Sequence, residues 1–229
     1  MEFLLAILAG VISYLFGSVS FAVVFSKLFA NKDVRKYGSH NAGMTNVVRV
    51  FGVLPGIFTF LFDTLKGFLA VVIGWNIFSY CHALNSSDMF LPLYGGYFCA
   101  VLAMLGHVFP IFFNFKGGKA VTVCLGVMFA CNWYAAVIAI FVFILLILVT
   151  NMVSISSMTA VASMLVTVPN FRMSSTEIFV RGGNAGINAV ILIFNLIMVS
   201  LVIIVHRENI KRIINKTENK VFKKRDKNG

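Results

Sequence analysis

Apolar runs alternate with short polar breaks along nearly the whole chain. Seven runs stand out, near 3–25, 53–75, 90–113, 120–132, 134–150, 153–168 and 187–205. A bilayer core takes about 20 apolar residues per helix. The pattern therefore predicts an all-α, polytopic membrane helix bundle with about seven transmembrane helices. The stretch 120–150 reads either as two short helices broken at Asn132-Trp133 or as one long helix. Met1-Glu2 brings no basic segment ahead of the first run, and no small-residue cleavage pattern follows. The first run is thus expected to stay as a helix. No repeat or low-complexity linker divides the chain. Residues 1–229 read as a single membrane-embedded domain with a basic tail at 206–229.

Composition sharpens this. Of the 229 residues, 59% are hydrophobic and 12% are charged, against about 25% charged in ordinary soluble domains. A soluble fold of this length cannot bury so much apolar surface. The net charge of +11 therefore asks for a membrane explanation, and no nucleic-acid partner is expected. Seven spans would put Lys27, Lys32, Arg35, Lys36, Arg49, Lys116, Lys119 and the nine basic residues of the tail on one side. Only Arg172 and Arg181 would face the other side, while Lys66 lies within a span. Six spans would divide the charges nine against nine. The positive-inside rule prefers seven, with the amino terminus outside and the tail cytoplasmic. Ile210, Ile213 and Ile214 fall at helical spacing, so the start of the tail suits the membrane interface. Its last eight residues serve as a topology signal attracted to anionic lipid. Cys81, Cys99, Cys124 and Cys131 lie in or beside apolar stretches with no metal spacing, and read as buried small hydrophobes.

Three polar patches interrupt the oil, all on the predicted cytoplasmic side. The first runs from Arg35 through Gly38, Ser39, His40, Asn41, Gly43, Thr45 and Asn46 to Arg49. Gly38 and Gly43 are read as backbone positions closed to other residues. Thr45 or Asn46 could cap the next helix, with Arg49 in its first turn. A glycine turn, a helix start and an arginine together suit an anion. The same residues also make an ordinary connector between helices. The second patch is Gly106-His107-Val108-Phe109-Pro110, then Phe115-Lys116-Gly117-Gly118-Lys119. It offers two cations and two permissive glycines at the mouth of a helix, without the Walker A pattern. His107 there is either a ligand-side group or a hydrogen-bonded structural residue. The third is His206 through Glu218, where His206 and Asn209 share a helical face. That pair can bind a hydroxyl or phosphate, act as a base, or simply cap a helix. Asp63 and Lys66, three apart within a span, are expected to pair, because charges at that depth are costly. Ser154 and Ser156 are weaker candidates that could equally satisfy helix-end backbone groups.

Absences narrow the chemistry. No G-x-S-x-G elbow is present, and no histidine is followed five residues later by aspartate. No carboxylate cluster suggests a metal, and no cofactor is expected.

Taken together, the patches resemble the PlsY family, the bacterial acyl-phosphate:glycerol-3-phosphate acyltransferases. That family's G-S-[IV]-P-F is similar to Gly17-Ser18-Val19-Ser20-Phe21. Its R-x-x-G-S-G-N-x-G-A-T-N-V-x-R appears as Arg35 through Arg49, and its L-L-D-x-x-K-G as Leu61 through Gly67. Its G-H-x-F-P and F-K-G-G-K-G-V look like Gly106–Pro110 and Phe115–Val121. Its V-S-x-x-S resembles Val153–Ser157, and its H-R-x-N-I-x-R-L-x-x-G-x-E matches His206 through Glu218. The departures are Ser20 for Pro, Ala42 for Pro, Met44 for Ala, and His40, Ala120 and Lys216 each for Gly.

The resemblance implies transfer of an acyl group from acyl phosphate to the 1-hydroxyl of glycerol 3-phosphate. The products are 1-acyl-glycerol 3-phosphate and phosphate, an early step of bacterial phospholipid synthesis at the inner membrane. Glycerol 3-phosphate is placed near Arg49, Lys119, Ser154, His206 and Asn209. Acyl phosphate is placed on the Gly38–Asn46 turn, with Ser39, Asn41, Thr45 and Asn46 donating. Lys116 and His107 support the junction. Gly43, Gly117, Gly118, Lys66 and Glu218 complete the expected substrate-binding set. Catalysis is expected of Ser39, Arg49, Lys119, His206 and Asn209, the proton passing to His206, His107 or a substrate phosphate oxygen. The rival classes are a transporter for an organic phosphate and a membrane scaffold with a lipid-binding tail.

Overall fold

The computed structural model describes residues 2–85, 91–170 and 185–221. Among them all extended regular structure is helical. In chain order the helices are α1 (Glu2–Gly17), α2 (Phe21–Ala30), α3 (Met44–Phe51), α4 (Val53–Asn85), α5 (Leu91–Val108) and α6 (Val121–Cys131). They continue as α7 (Trp133–Thr150), α8 (Val153–Ala162), α9 (Met164–Asn170), α10 (Ala185–Val205) and α11 (Arg207–Ile214). Arg172, Arg181 and the last eight residues, which entered the charge argument, lie outside the described residues.

Every predicted apolar run contains helix, but the helices differ in reach. Phe3–Ala30, Val53–Ala83, Leu91–Phe113 and Trp133–Thr150 are long and apolar enough to cross a membrane. Ala189–Val205 joins them if it is counted with Arg207–Ile214, from which it is bent by 59°. Val121–Cys131 and Val153–Thr167 are apolar but shorter. Only 17% of the α7 span is buried, and Phe141, Leu148 and Val149 stand exposed on it. Such a surface is stable against lipid and not against water.

The centre of the bundle is α4, which lies along α5 and α6, while α5 also meets α1 and α10. Small residues set these crossings. A Cβ on Gly67 would strike the Val123 backbone, and one on Gly126 would strike that of Thr64. Lipid supplies no hydrophobic drive between helices, so close backbone approach carries the packing.

Two breaks matter for the site. The first run was expected to be one helix over 3–25, yet α1 stops at Gly17 and α2 starts at Phe21. Gly17 packs on the Ala103 backbone, Ser18 Oγ donates back to the Tyr14 carbonyl at 2.8 Å, and the freed Val19 carbonyl accepts from Lys66 Nζ at 2.7 Å. Tertiary partners thus satisfy what the break exposes. The 120–150 run does divide at Asn132. Its side-chain oxygen accepts from the Tyr134 and Ala135 backbone N–H groups and so caps α7.

Three departures from the resembled pattern share one backbone state. His40, Ala120 and Lys216 all have φ of 58°, where an ordinary side chain costs about 1–2 kcal/mol. At Lys216 the reason is plain. Lys216 N–H donates to the Ile213 carbonyl and Thr217 N–H to that of Arg212, the Schellman arrangement that closes a helix with a left-handed residue. Lys216→Gly is therefore expected to stabilise the protein by about 0.5–1 kcal/mol, read as a higher unfolding temperature in detergent. An unchanged or lower temperature would contradict this account.

Candidate active site

The site is built at one end of the bundle from the three polar patches and the start of α8. In the first patch, Asp33 accepts from the Arg35 backbone at 3.0 Å and pairs with its guanidinium at 2.7 Å. Arg35 Nη1 then donates to the carbonyls of Phe113 at 2.7 Å and Lys116 at 3.2 Å. One arginine thereby joins the first patch to the second. Asn46 fixes the turn between. Its Oδ1 accepts from Ser39 N–H at 2.9 Å, and its Nδ2 donates to the carbonyls of Val34, Tyr37 and Asn41. Its amide is thus committed to loop backbone, whereas the sequence placed it among direct substrate donors. Ser39 is exposed, and Asn41 and Thr45 are half-buried along this turn.

Other expectations for this patch need correction. Gly38 does require glycine, with φ of 60° and the Asn46 amide where a Cβ would stand. Gly43 does not, because at φ −150° and ψ 162° it is extended backbone open to any residue. It is Gly43, not Thr45 or Asn46, that occupies the cap of α3, and Arg49 falls in the last turn and not the first. Asn46 is drawn into the loop instead, and a cation at a helix C-terminus is favoured by the dipole.

In the second patch the chain doubles back on the end of α5. Gly117 N–H donates to the Val108 carbonyl at 3.2 Å, and Gly118 N–H to that of His107 at 3.1 Å. Ala120 turns the chain into α6, and Lys119 Nζ donates to Asn209 Oδ1. Lys116 is exposed beside it.

The third patch begins where α10 bends into α11. His206, at the bend, has Nδ1 2.7 Å from the Val202 carbonyl. A carbonyl only accepts, so Nδ1 carries the proton and Nε2 keeps its lone pair. Asn209 Nδ2 donates to Ser154 Oγ and to Glu218 Oε1, each at 2.7 Å. Ser154 Oγ donates to Glu218 Oε1, and Arg212 Nε to Glu218 Oε2 at 2.8 Å. The turn at Lys216 is what returns Glu218 to this network. Ser156 serves its own helix, donating to the Met152 carbonyl at 2.8 Å.

Electrostatics follow from this packing. Burial pushes Lys119 down to about 8, helped by the charges of Arg212 and Arg49 and opposed by Glu218. His206 is pushed down to about 4, first by burial and then by the Lys119 charge. Burial opposes the charge on Glu218, yet hydrogen bonds from Ser154, Asn209 and Arg212 hold its pKa below the ordinary value. The result is a neutral imidazole beside a cation held among other cations, arranged to receive an anion.

The structure brings Lys119, Asn209, Ser154, His206 and Glu218 together, with Arg49 close enough for its charge to act on Lys119. It does not bring Lys66. That residue is fully enclosed, 2.8 Å from Asp63 and bound to the Val19 carbonyl, so it is withdrawn from the substrate-binding set. The expected Asp63–Lys66 pair is present. His107 is buried behind the loop, against Gly118. Arg35 and Arg212 join the site beyond the residues expected from the sequence. Arg35 opens the first motif, which was a signal, but nothing linear shows that the tail folds back to set Glu218 on Arg212.

A helical membrane bundle with cations and neutral hydrogen-bonding groups at its polar end defines an integral membrane protein built to bind anions. A family model described as glycerol-3-phosphate acyltransferase matches residues 7–216. The glycerol-3-phosphate acyltransferase of Mycoplasma pneumoniae is 40% identical, over 95% of each chain. Glycerol-3-phosphate acyltransferase 2 of Bacillus anthracis is 37% identical, over 94% of this chain and 98% of its own. The crystal structure of PlsY (YgiH), an integral membrane glycerol 3-phosphate acyltransferase in its glycerol 3-phosphate form, superposes with a TM-score of 0.75. It is 31% identical, over 95% of this chain and 96% of that one. Its lysophosphatidic acid form gives 0.72. The chain belongs to the glycerol-3-phosphate acyltransferase family, and is a multi-pass membrane enzyme of the PlsY type.

Proposed function

We propose that the protein transfers an acyl group from acyl phosphate to the 1-hydroxyl of glycerol 3-phosphate, releasing phosphate. The observation that carries this is the cationic end of the bundle, where Lys119 donates to Asn209, is linked through it to Ser154 and Glu218, and feels Arg49 and Arg212. Two phosphate groups repel each other, and a fixed cluster of cations offsets that repulsion. The glycerol phosphate lies near Arg49, Lys119, Ser154, His206 and Asn209. The acyl phosphate lies along the Gly38–Thr45 turn with Ser39, Asn41 and Thr45 as donors, while Asn46 shapes the turn. Lys116, Gly117 and Gly118 form the wall between them. Its chain follows the apolar groove of about 450 Å³ between α5 and α10, whose lining includes Leu105, Leu201 and Ile204. That groove ends within two residues of His107 and His206 in sequence.

Acyl phosphate is already activated, so no covalent enzyme intermediate is needed and positioning lowers the barrier. A general base works best with a pKa near the operating pH. At about 4, His206 is suited to orient the hydroxyl through Nε2, and a phosphate oxygen of the substrate to take the proton. Lys119 sets the alkaline behaviour. Above its pKa of about 8 the ammonium is lost, so kcat/KM for glycerol 3-phosphate falls as pH rises through 8 and is retained below it. A flat profile between pH 7 and 9.5 would remove this role.

In the cell we place the chain in the bacterial inner membrane with seven crossings, the amino terminus outside and the site facing the cytoplasm. The lopsided distribution of basic residues supports this. The functional test is phosphate release by purified protein in detergent. It is expected from acyl phosphate only when glycerol 3-phosphate is present. Uptake of an organic phosphate into sealed vesicles without acyl transfer would favour a transporter instead.

A further inference from the structure

Asp63 and Lys66 sit within the membrane and touch none of the network around Lys119, yet charged groups at that depth are kept only for a purpose. Lys66 Nζ holds the Val19 carbonyl at the α1–α2 break, and Asp63 lies against His107, with its Oδ1 3.7 Å from Nδ1. That distance is contact without a hydrogen bond. Asp63 Oδ1 is taken by the Lys66 ammonium at 2.8 Å, whereas Asp63 Oδ2 and His107 Nδ1 are buried without a hydrogen-bond partner among the described residues. The other edge of the ring, Nε2, is where a Cβ on Gly118 would stand. Gly118 N–H is bonded to the His107 carbonyl, and Lys119 is the next residue.

We infer that Asp63, Lys66 and His107 form a buried positioning unit that fixes the Gly117–Lys119 loop, and through it the place of the Lys119 ammonium. The inference rests on the acyltransferase reading above. The charge pair anchors the ring from beneath, and the ring in turn supports the loop. Two helices, α4 and α5, and the α1–α2 break are thereby referred to one cation, although none of the three side chains meets substrate. Their interchange with neutral residues changes how Lys119 is held, not what chemistry is available. The groups facing Lys119 are Arg49 from α3, Arg212 from α11, Glu218 from the tail and His206 at the α10–α11 bend.

The test is the pH profile of kcat/KM for glycerol 3-phosphate in purified, folded protein. Wild type is measured first, and its inactivity would defeat the acyltransferase reading rather than this one. With wild type active, His107→Ala is expected to lower kcat/KM at pH 7 at least tenfold. Its alkaline limb is expected to move upward by half a pH unit or more, as a loosened Lys119 gains water. His107→Gln restores a polar atom toward Gly118 and is expected to recover activity to within about threefold of wild type. The uncharged double variant Asp63→Leu/Lys66→Met, which leaves the ring in place, is expected to move the limb in the same direction. It also serves if His107→Ala does not fold. A limb fixed at its wild-type position in the folded variants, with or without lost activity, would reduce the unit to a packing clamp and overturn the inference.

Discussion

Lys119→Ala is expected to lower kcat/KM for acyl transfer by about 10²- to 10³-fold, the range seen when one preorganised donor to developing charge is removed. The loss is large because Lys119 is partly desolvated and already placed, held on Asn209 within reach of the Arg212 and Arg49 charges. Little reorganisation is then required when the phosphate arrives. Arg49 and Arg212 remain, so the loss is not total. Arg212→Ala would act differently. It releases one oxygen of Glu218 and disturbs the network from behind. Lys119→Arg keeps the charge but not the compact ammonium, and is expected to recover only part of the rate. Initial rates of phosphate release across glycerol 3-phosphate concentrations check this, and a Lys119→Ala enzyme within tenfold of wild type would take Lys119 out of the site.

Gly118→Ala is the second severe change, with an expected loss of 100-fold or more in kcat/KM. An added Cβ would overlap His107 Nε2 and the Ala42 carbonyl. Neither can move aside easily, since His107 and Ala42 are both buried. The loop itself must shift, and a misplacement of about 1 Å costs on the order of 10²-fold in a reaction that depends on positioning. The unfolding temperature should change much less than the rate, because the rest of α5 and α6 is untouched. Comparable losses in both would mean that the loop supports the bundle more than the chemistry.

Much of this was legible without coordinates. Apolar runs of bilayer length are a one-dimensional signal, because each residue must satisfy the solvent it meets whatever its neighbours are. The Asp63–Lys66 pair was legible too, since residues three apart on a helix are neighbours by geometry alone. The same spacing could not show which way the pair points. Lys66 was expected at the substrate and lies instead under the Val19 carbonyl, a partner 47 residues away. The break after Gly17 was hidden for a similar reason: Gly17 and Ser18 are weak local stops, and the Ala103 backbone and Lys66 are what hold the break.

The cationic motifs were visible as residue types, and their family pattern pointed to one reaction. How they assemble was not visible. Gly38 and Gly43 look alike in the sequence, yet one has φ of 60° and the other is extended. Asn46 looks like a donor to substrate and is consumed by four loop backbone groups.

The sequence by itself determined that this chain lives in a membrane, that its apolar runs are helical, and which residue types gather at the polar breaks. Those follow from solvent preference and local spacing. Only the tertiary structure decided which of those polar groups face a ligand and which are spent holding one another, because a hydrogen bond made across 64 residues, as from Ser154 to Glu218, leaves no trace in local order.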